Sequence, residues 1–275
     1  MFKRIVTGLV FFGIFMASVR IRSLSWVMPL IITAGGLAGI AEFRNMAVRK
    51  DVQAPLWLSL VLGLMIFADA WVAGLSHLLS VTAAGLCLFL VYAALLGGIR
   101  GVIVKTSVAL MSTVYVAIPM ALGLCLFRME ISKTGFGLGM LVFIVVVSWS
   151  CDTGAYFVGS AVGKRKIAPV LSPNKTVEGS IGGLVASILA ALLLLAFWHS
   201  LRAIIPWLHG IALGFLIGFL GQVGDLAESA FKRDAGVKDS GNTVIGHGGM
   251  LDVIDSLLLT IPLCYLYFHH VLSAM

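Results

Sequence analysis

Charge is what this sequence has least of. Only 11% of its 275 residues are Asp, Glu, Lys or Arg, against 60% hydrophobic, and the mean hydropathy is +1.07. A soluble globular domain is excluded on that balance, and an integral membrane protein is indicated. Cysteine is sparse too. Cys87, Cys125, Cys151 and Cys264 are scattered, mostly inside apolar runs, and no C-x-x-C occurs, so they read as small buried apolar side chains. None of the six histidines, including His77 and the pair His269-His270, has zinc-ligand spacing, which leaves a His-based metal site unsupported. Internal repeats and low-complexity linkers are missing as well. The net charge of +7 is spread over loops between apolar runs. It points to phospholipid contact and membrane orientation, with no nucleic-acid partner.

What the chain has instead is a series of apolar runs. They predict an all-α polytopic transmembrane bundle of about nine spans, near 5–19, 24–41, 55–74, 78–99, 106–127, 134–158, 180–200, 203–223 and 252–272. The first is short and follows Lys3-Arg4, as in a signal peptide, but no clear A-x-A site comes after it, so it reads as a first membrane helix. With the N-terminus placed inside, 14 of the 19 Lys and Arg residues fall in inside segments. The other five, Arg20, Arg22, Arg128, Lys133 and Arg202, fall outside. This bias predicts a multi-pass protein of the cytoplasmic (inner) membrane, with its polar loops in the cytosol. Residues 1–150 carry few polar groups of note apart from Asp69, which reads either as a relay or pairing residue or, more plainly, as a group near a helix end or bonding a neighbour. Residues 151–275 read as a separate C-terminal transmembrane region with two cytoplasmic motif loops.

Polarity concentrates in residues 224–256. Six of the twelve acidic residues lie there (Asp225, Glu228, Asp234, Asp239, Asp252, Asp255), together with Lys232, Arg233, Lys238, His247 and Gly248-Gly249. Apolar runs flank the segment on both sides, and charges near spans are expensive, roughly 2.5–3.5 kcal/mol each at a bilayer centre. Asp225 and Glu228 are spaced i,i+3, as are Asp252 and Asp255, which puts each pair on one helix face. Two carboxylates about 5 Å apart repel by roughly 3 kcal/mol at an effective dielectric of 20. A proton, a basic neighbour or a cation must offset this, and oxygen-only ligation suits Mg²⁺. The plainer alternative is a solvated helix end with ordinary ion pairs, such as Glu228 with Lys232.

A second polar loop follows the sixth run. Asp152 and Tyr156 lie near the inner end of that helix, Gly159 and Gly163 end it, and Lys164-Arg165-Lys166 serve as an anchor or touch substrate. Ser172-Pro173 predicts a helix start with Ser172 as N-cap, which would place Lys175 in the first turn, where free N–H groups favour an anion such as phosphate. Gly210, Gly214, Gly218, Gly221 and Gly224 in the eighth run predict close helix packing. His247-Gly248-Gly249 permits a tight turn; His247 either holds a phosphate or carboxylate or caps the last helix.

The motifs Asp152-Thr-Gly-Ala-Tyr-Phe, Ser172-Pro-Asn-Lys175-Thr-Val-Glu178-Gly, Gly224-Asp225-Leu-x-Glu228-Ser, Ser229-Ala-Phe-Lys-Arg, Lys238-Asp239-Ser-Gly and His247-Gly-Gly-Met-Leu-Asp252-Val-Ile-Asp255 carry a resemblance. They are similar to the signature of the phosphatidate cytidylyltransferases (CDP-diglyceride synthetases). The resemblance implies transfer from CTP to phosphatidate, giving CDP-diacylglycerol and pyrophosphate, in phospholipid biosynthesis. It also implies a homodimer and Mg²⁺, with the number of ions open and a monovalent cation allowed. Asp225 and Asp252 would be catalytic and hold metal, supported by Asp255, Asp239 and Glu228. Lys175 and Lys232 would act on the reacting phosphates. Arg233, Lys238, His247, Gly248, Gly249, Ser172 and Asp152 would bind substrate. Ile245 and Val253 depart from the pattern; the family carries Arg where Val253 stands. Either Lys238 or Arg233 supplies the missing cation, or position 253 faces away from the site. A CTP-using enzyme acting on another lipid phosphate or a polyprenol is an alternative, and a polytopic transporter is an alternative of a different class.

Overall fold

The computed structural model describes residues 26–96, 100–129, 136–244, 246 and 248–272. The expected first span, Ile245 and His247 lie outside the described residues. Nine α-helices are described. They are α1 Val27–Val48, α2 Leu56–Ala73, α3 Leu78–Leu95, α4 Val102–Arg128, α5 Phe136–Val162, α6 Val177–Phe197, the short α7 His199–Arg202, α8 Trp207–Asp234 and α9 Leu251–Tyr267. A π-helical turn, Phe268–Leu272, follows α9. Among the described residues eight helices are long and apolar enough to cross a membrane, matching the eight expected runs that fall within them. Among the described residues the one sheet is a two-stranded hairpin of β1 Lys166–Ala168 and β2 Ser172–Thr176, antiparallel with Lys166 opposite Thr176. The chain divides into two compact units: Met1–Cys125 with Phe231–Ile254, and Leu126–Ala230 with Asp255–Met275.

In the first unit α1 and α2 meet through small residues. A side chain at Gly36 would run into the Phe67 ring, and one at Gly63 would lie 2.7 Å from Ile40 Cδ1. Such close backbone approach is the usual basis of helix association in lipid, where apolar burial supplies little drive. Phe43, Tyr115 and Phe231 form a three-ring cluster with centroids 5.1–5.6 Å apart. Asp69, near the end of α2, is buried and bonds a neighbour as expected. Its two oxygens meet His77 Nδ1 at 3.0 Å and accept from His77 N–H at 3.2 Å, across the turn that Gly74 enters at φ 61°.

The second unit is organised by the glycines of α8, and they face two partners. Gly210, Gly214 and Gly218 lie against Leu195, Ile188 and Ser187 of α6. Gly224 lies against α9, where an added Cβ would sit 2.6 Å from the Asp255 carbonyl. Two local expectations are corrected here. The helix after the hairpin does not start at Ser172. Residues 172–176 are strand, Val177 N–H donates to the Arg165 carbonyl at 2.8 Å, and the cap passes to Thr176, whose Oγ1 accepts from Gly179 N–H at 3.1 Å. Lys175 is therefore a strand residue one step before the cap. Gly159 lies inside α5, which runs on to Val162. Helix α8 also outruns its apolar stretch and reaches Asp234, because Leu226, Ala227, Glu228, Ala230 and Lys232 are good helix formers.

Candidate active site

The extension of α8 beyond Val223 places Asp225, Glu228, Ser229 and Lys232 at i, i+3, i+4 and i+7, which is one helical face. In the second unit three carboxylates converge. Asp225 and Glu228 of α8 and Asp255 of α9 each present an oxygen within 4.8 Å of the others. Glu228 is wholly buried and Asp255 nearly so. The close seat of Gly224 on the α9 backbone brings these helix faces together. Lys175 Nζ reaches Asp225 Oδ2 at 2.6 Å from strand β2, and Ser229 Oγ donates to Asp225 Oδ1 at 3.4 Å. Asp152, on α5, is near enough for the charges of Asp225 and Lys175 to act on it. At about 5 Å each carboxylate pair repels by roughly 3 kcal/mol at an effective dielectric of 20. Lys175 brings one ammonium to this concentration of negative charge. A hard divalent cation, which takes oxygen ligands, fits this donor set.

The first unit holds a different acidic site. Asp252, in the first turn of α9, has every oxygen engaged. Lys232 Nζ donates to Oδ1 at 2.6 Å, and Oδ2 accepts from Ser240 N–H at 2.9 Å, Ser240 Oγ at 2.9 Å and Gly249 N–H at 2.7 Å. Residues 240–250 form the loop that delivers those donors. Val244 and Gly248 exchange backbone bonds of 2.9 and 3.2 Å across a tight turn, with Gly246 at φ 84° and Gly248 at φ 103°. A Cβ on Gly248 would stand 2.7 Å from Asp252 Oδ2, so glycine is required there for both its backbone angle and its lack of a side chain.

Of the five carboxylates expected around the metal, the structure brings Asp225, Glu228 and Asp255 together. Asp252 is held by Lys232 and the loop, and Asp239 is exposed with its Cβ side toward Gly248. Among the expected substrate groups Gly248 and Gly249 line the Asp252 loop, Lys238 is exposed, and Ser172 is half-buried in β2. Arg233 Nη1 donates to the Val237 carbonyl at 2.9 Å. The cation that meets Asp252 is Lys232. Glu178 accepts from Lys164 N–H at 2.9 Å and Arg165 N–H at 3.2 Å, closing the hairpin base.

Sequence reasoning missed Glu42. This α1 carboxylate is buried and receives four donors from residues 240–251. A signal was available: an acidic residue at the edge of an apolar run is costly wherever it sits, and the argument that singled out Asp69 applies equally to Glu42.

Residues 2–271 match the profile of the Cytidylyltransferase family. The chain is 34% identical to a phosphatidate cytidylyltransferase of Bacillus subtilis over 97% of its own length and 96% of the relative's. It is 35% identical to one of Staphylococcus saprophyticus (89% and 96% covered) and 39% identical to one of Staphylococcus aureus (86% and 88% covered).

Proposed function

The chain belongs to the cytidylyltransferase family, and we infer from this that it joins CTP to phosphatidate, giving CDP-diacylglycerol and pyrophosphate. The observation that carries the reading into chemistry is the convergence of Asp225, Glu228 and Asp255 beside Lys175. In the reaction a phosphatidate oxygen attacks the α-phosphorus of CTP, and the bond from that phosphorus to the bridging oxygen breaks, releasing pyrophosphate. A phosphate monoester has its second pKa at about 6, so the nucleophile is already largely ionised near neutral pH and needs no strong base. The difficulty is bringing two polyanions together in line.

Each cluster suits part of that task. Asp225, Glu228 and Asp255 would hold Mg²⁺, with a monovalent cation also allowed. Bound there, the metal would neutralise phosphate charge and fix phosphate oxygens. Lys175 holds Asp225 in place and is positioned to pass its charge to an arriving phosphate. Lys232 and the loop 240–250 keep Asp252 oriented, and Gly248 and Gly249 let backbone approach a phosphate closely. Lys238, His247 and Arg233 would bind the CTP phosphates or the lipid head group, and Ser172 and Asp152 would also bind substrate. Residues 151–275 would thus carry the reacting groups and residues 1–150 the supporting helices. The distribution of Lys and Arg supports a cytoplasmic-membrane protein whose site faces the cytosol, where CTP is available. Assembly as a homodimer rests on the family resemblance.

The deciding experiment is turnover of labelled CTP by the purified protein with phosphatidate, other lipid phosphates and polyprenyl substrates in parallel. CDP-diacylglycerol and pyrophosphate formed in equal amounts, with phosphatidate preferred, is the expected result. Preference for another lipid phosphate would change the substrate, and no CTP turnover with any of them would overturn the enzyme reading.

A further inference from the structure

We propose that Glu42 is a positioning residue for this reaction: a carboxylate on α1 that grips the loop 240–251 and through Ser240 and Gly249 fixes Asp252. The inference rests on the reading of the Asp252 loop as substrate-handling. Oε1 accepts from Thr243 Oγ1 at 2.5 Å and Met250 N–H at 2.9 Å, while Oε2 accepts from Ser240 Oγ at 3.1 Å and Leu251 N–H at 2.8 Å. Each oxygen thus takes one backbone N–H and one hydroxyl. A cap for α9 would need only the two N–H groups. The hydroxyls tie in the far end of the loop as well. The loop backbone is packed directly on the carboxylate. A Cβ on Gly241 would lie 2.7 Å from Oε1, and one on Gly249 would collide with both Glu42 Oε2 and Ser240 Oγ.

Ser240 is the link. Its hydroxyl lies 3.1 Å from Glu42 Oε2 and 2.9 Å from Asp252 Oδ2, so one side chain stands between the two carboxylates. That hydroxyl carries one proton, which the two carboxylates share, and the two N–H donors to Asp252 Oδ2 also come from Ser240 and Gly249. Loss of the Glu42 grip loosens the loop that carries both, and with it the donors that orient Asp252. The carboxylate is chemically required. In Glu42→Gln either amide orientation sets an NH₂ against a backbone N–H, at Met250 or at Leu251. A hydroxyl can turn to accept from that NH₂, but a backbone N–H cannot.

The test uses the full chain in lipid nanodiscs with Glu42→Gln, Ser240→Ala and the double variant, reading CTP turnover with phosphatidate and amide hydrogen exchange. In Glu42→Gln, exchange across 248–253 should quicken at least tenfold while peptides of α2 and α3 exchange as in the parent. The kcat should fall at least tenfold with KM for phosphatidate within twofold. The double variant should lose less than the product of the two single losses, because the two side chains meet at the Ser240 hydroxyl. Unchanged exchange at 248–253, quickened exchange throughout the chain, or losses that multiply in the double variant would each overturn the proposal. If Glu42→Gln does not fold, Thr243→Val removes one of the four donors. It should raise exchange at 248–253 alone, and no rise would overturn the grip. A parent protein without CTP turnover would defeat the catalytic reading, while the exchange comparison would still decide whether Glu42 holds the loop.

Discussion

Two groups of carboxylates, both drawn from α8, α9 and their neighbours, have opposite electrostatic designs. Asp252 is surrounded by donors: an ammonium, two backbone N–H groups and a hydroxyl. Asp225, Glu228 and Asp255 lie against one another, and Lys175 meets Asp225. The first arrangement is complete as it stands and its removal should loosen the fold. The second gathers like charge, and neutralising one of its carboxylates should cost the fold little and abolish the chemistry. Stability and activity should therefore move together at one site and apart at the other.

The largest effect should come from the crowded cluster. Asp225→Asn or Asp255→Asn is expected to lower CTP turnover by on the order of 10³-fold, with melting temperature in EDTA equal to or above the parent's. Excess EDTA should abolish parent turnover, and Mg²⁺ should raise the parent's melting temperature but not that of Asp255→Asn. Full activity in EDTA would remove the metal from the cluster. Next comes Lys232→Met, which leaves the Asp252 carboxylate buried without its ammonium. A loss of about 3 kcal/mol in unfolding free energy is expected, together with a large loss of turnover. A stable, active Lys232→Met protein would erase the contrast between the two sites. Gly248→Ala should destabilise by about 1–3 kcal/mol through its positive φ and its approach to Asp252 Oδ2, readable by thermal unfolding. The smallest effect is expected for Val253→Arg. Lys232 already meets Asp252, so turnover should stay within twofold, and a marked gain would show that the cation missing at 253 was still needed.

Much of this was legible in the sequence because lipid simplifies the reading: a span must be a long apolar helix, and eight such runs fall where eight helices lie. The i,i+3 spacings placed Asp225 with Glu228 and Asp252 with Asp255. Spacing could not say that Asp255 faces its α8 neighbours while Asp252 is fully engaged by Lys232 and a loop. That depends on contacts between elements far apart in sequence. Glu42 was missed for the same reason, since its partners begin 198 residues away. Ser172-Pro173 misled because a good local cap signal lost to strand pairing with 166–168, a competition no local signal reports.

The glycines of α8 bear on a kind of change other than substitution. With Gly214 and Gly218 seated on α6 and Gly224 on α9, the helix has no cushioning side chains with which to absorb a rotation. One residue inserted between Gly218 and Asp225 would turn everything beyond it by about 100° and advance it by about 1.5 Å. Asp225 and Glu228 would then swing off the face they share with Asp255, with every functional side chain still present in the chain. Descendants of this sequence should therefore tolerate altered letters along α8 far better than an altered letter count, and an insertion scan would mark residues 218–228 as the segment where length itself is under constraint.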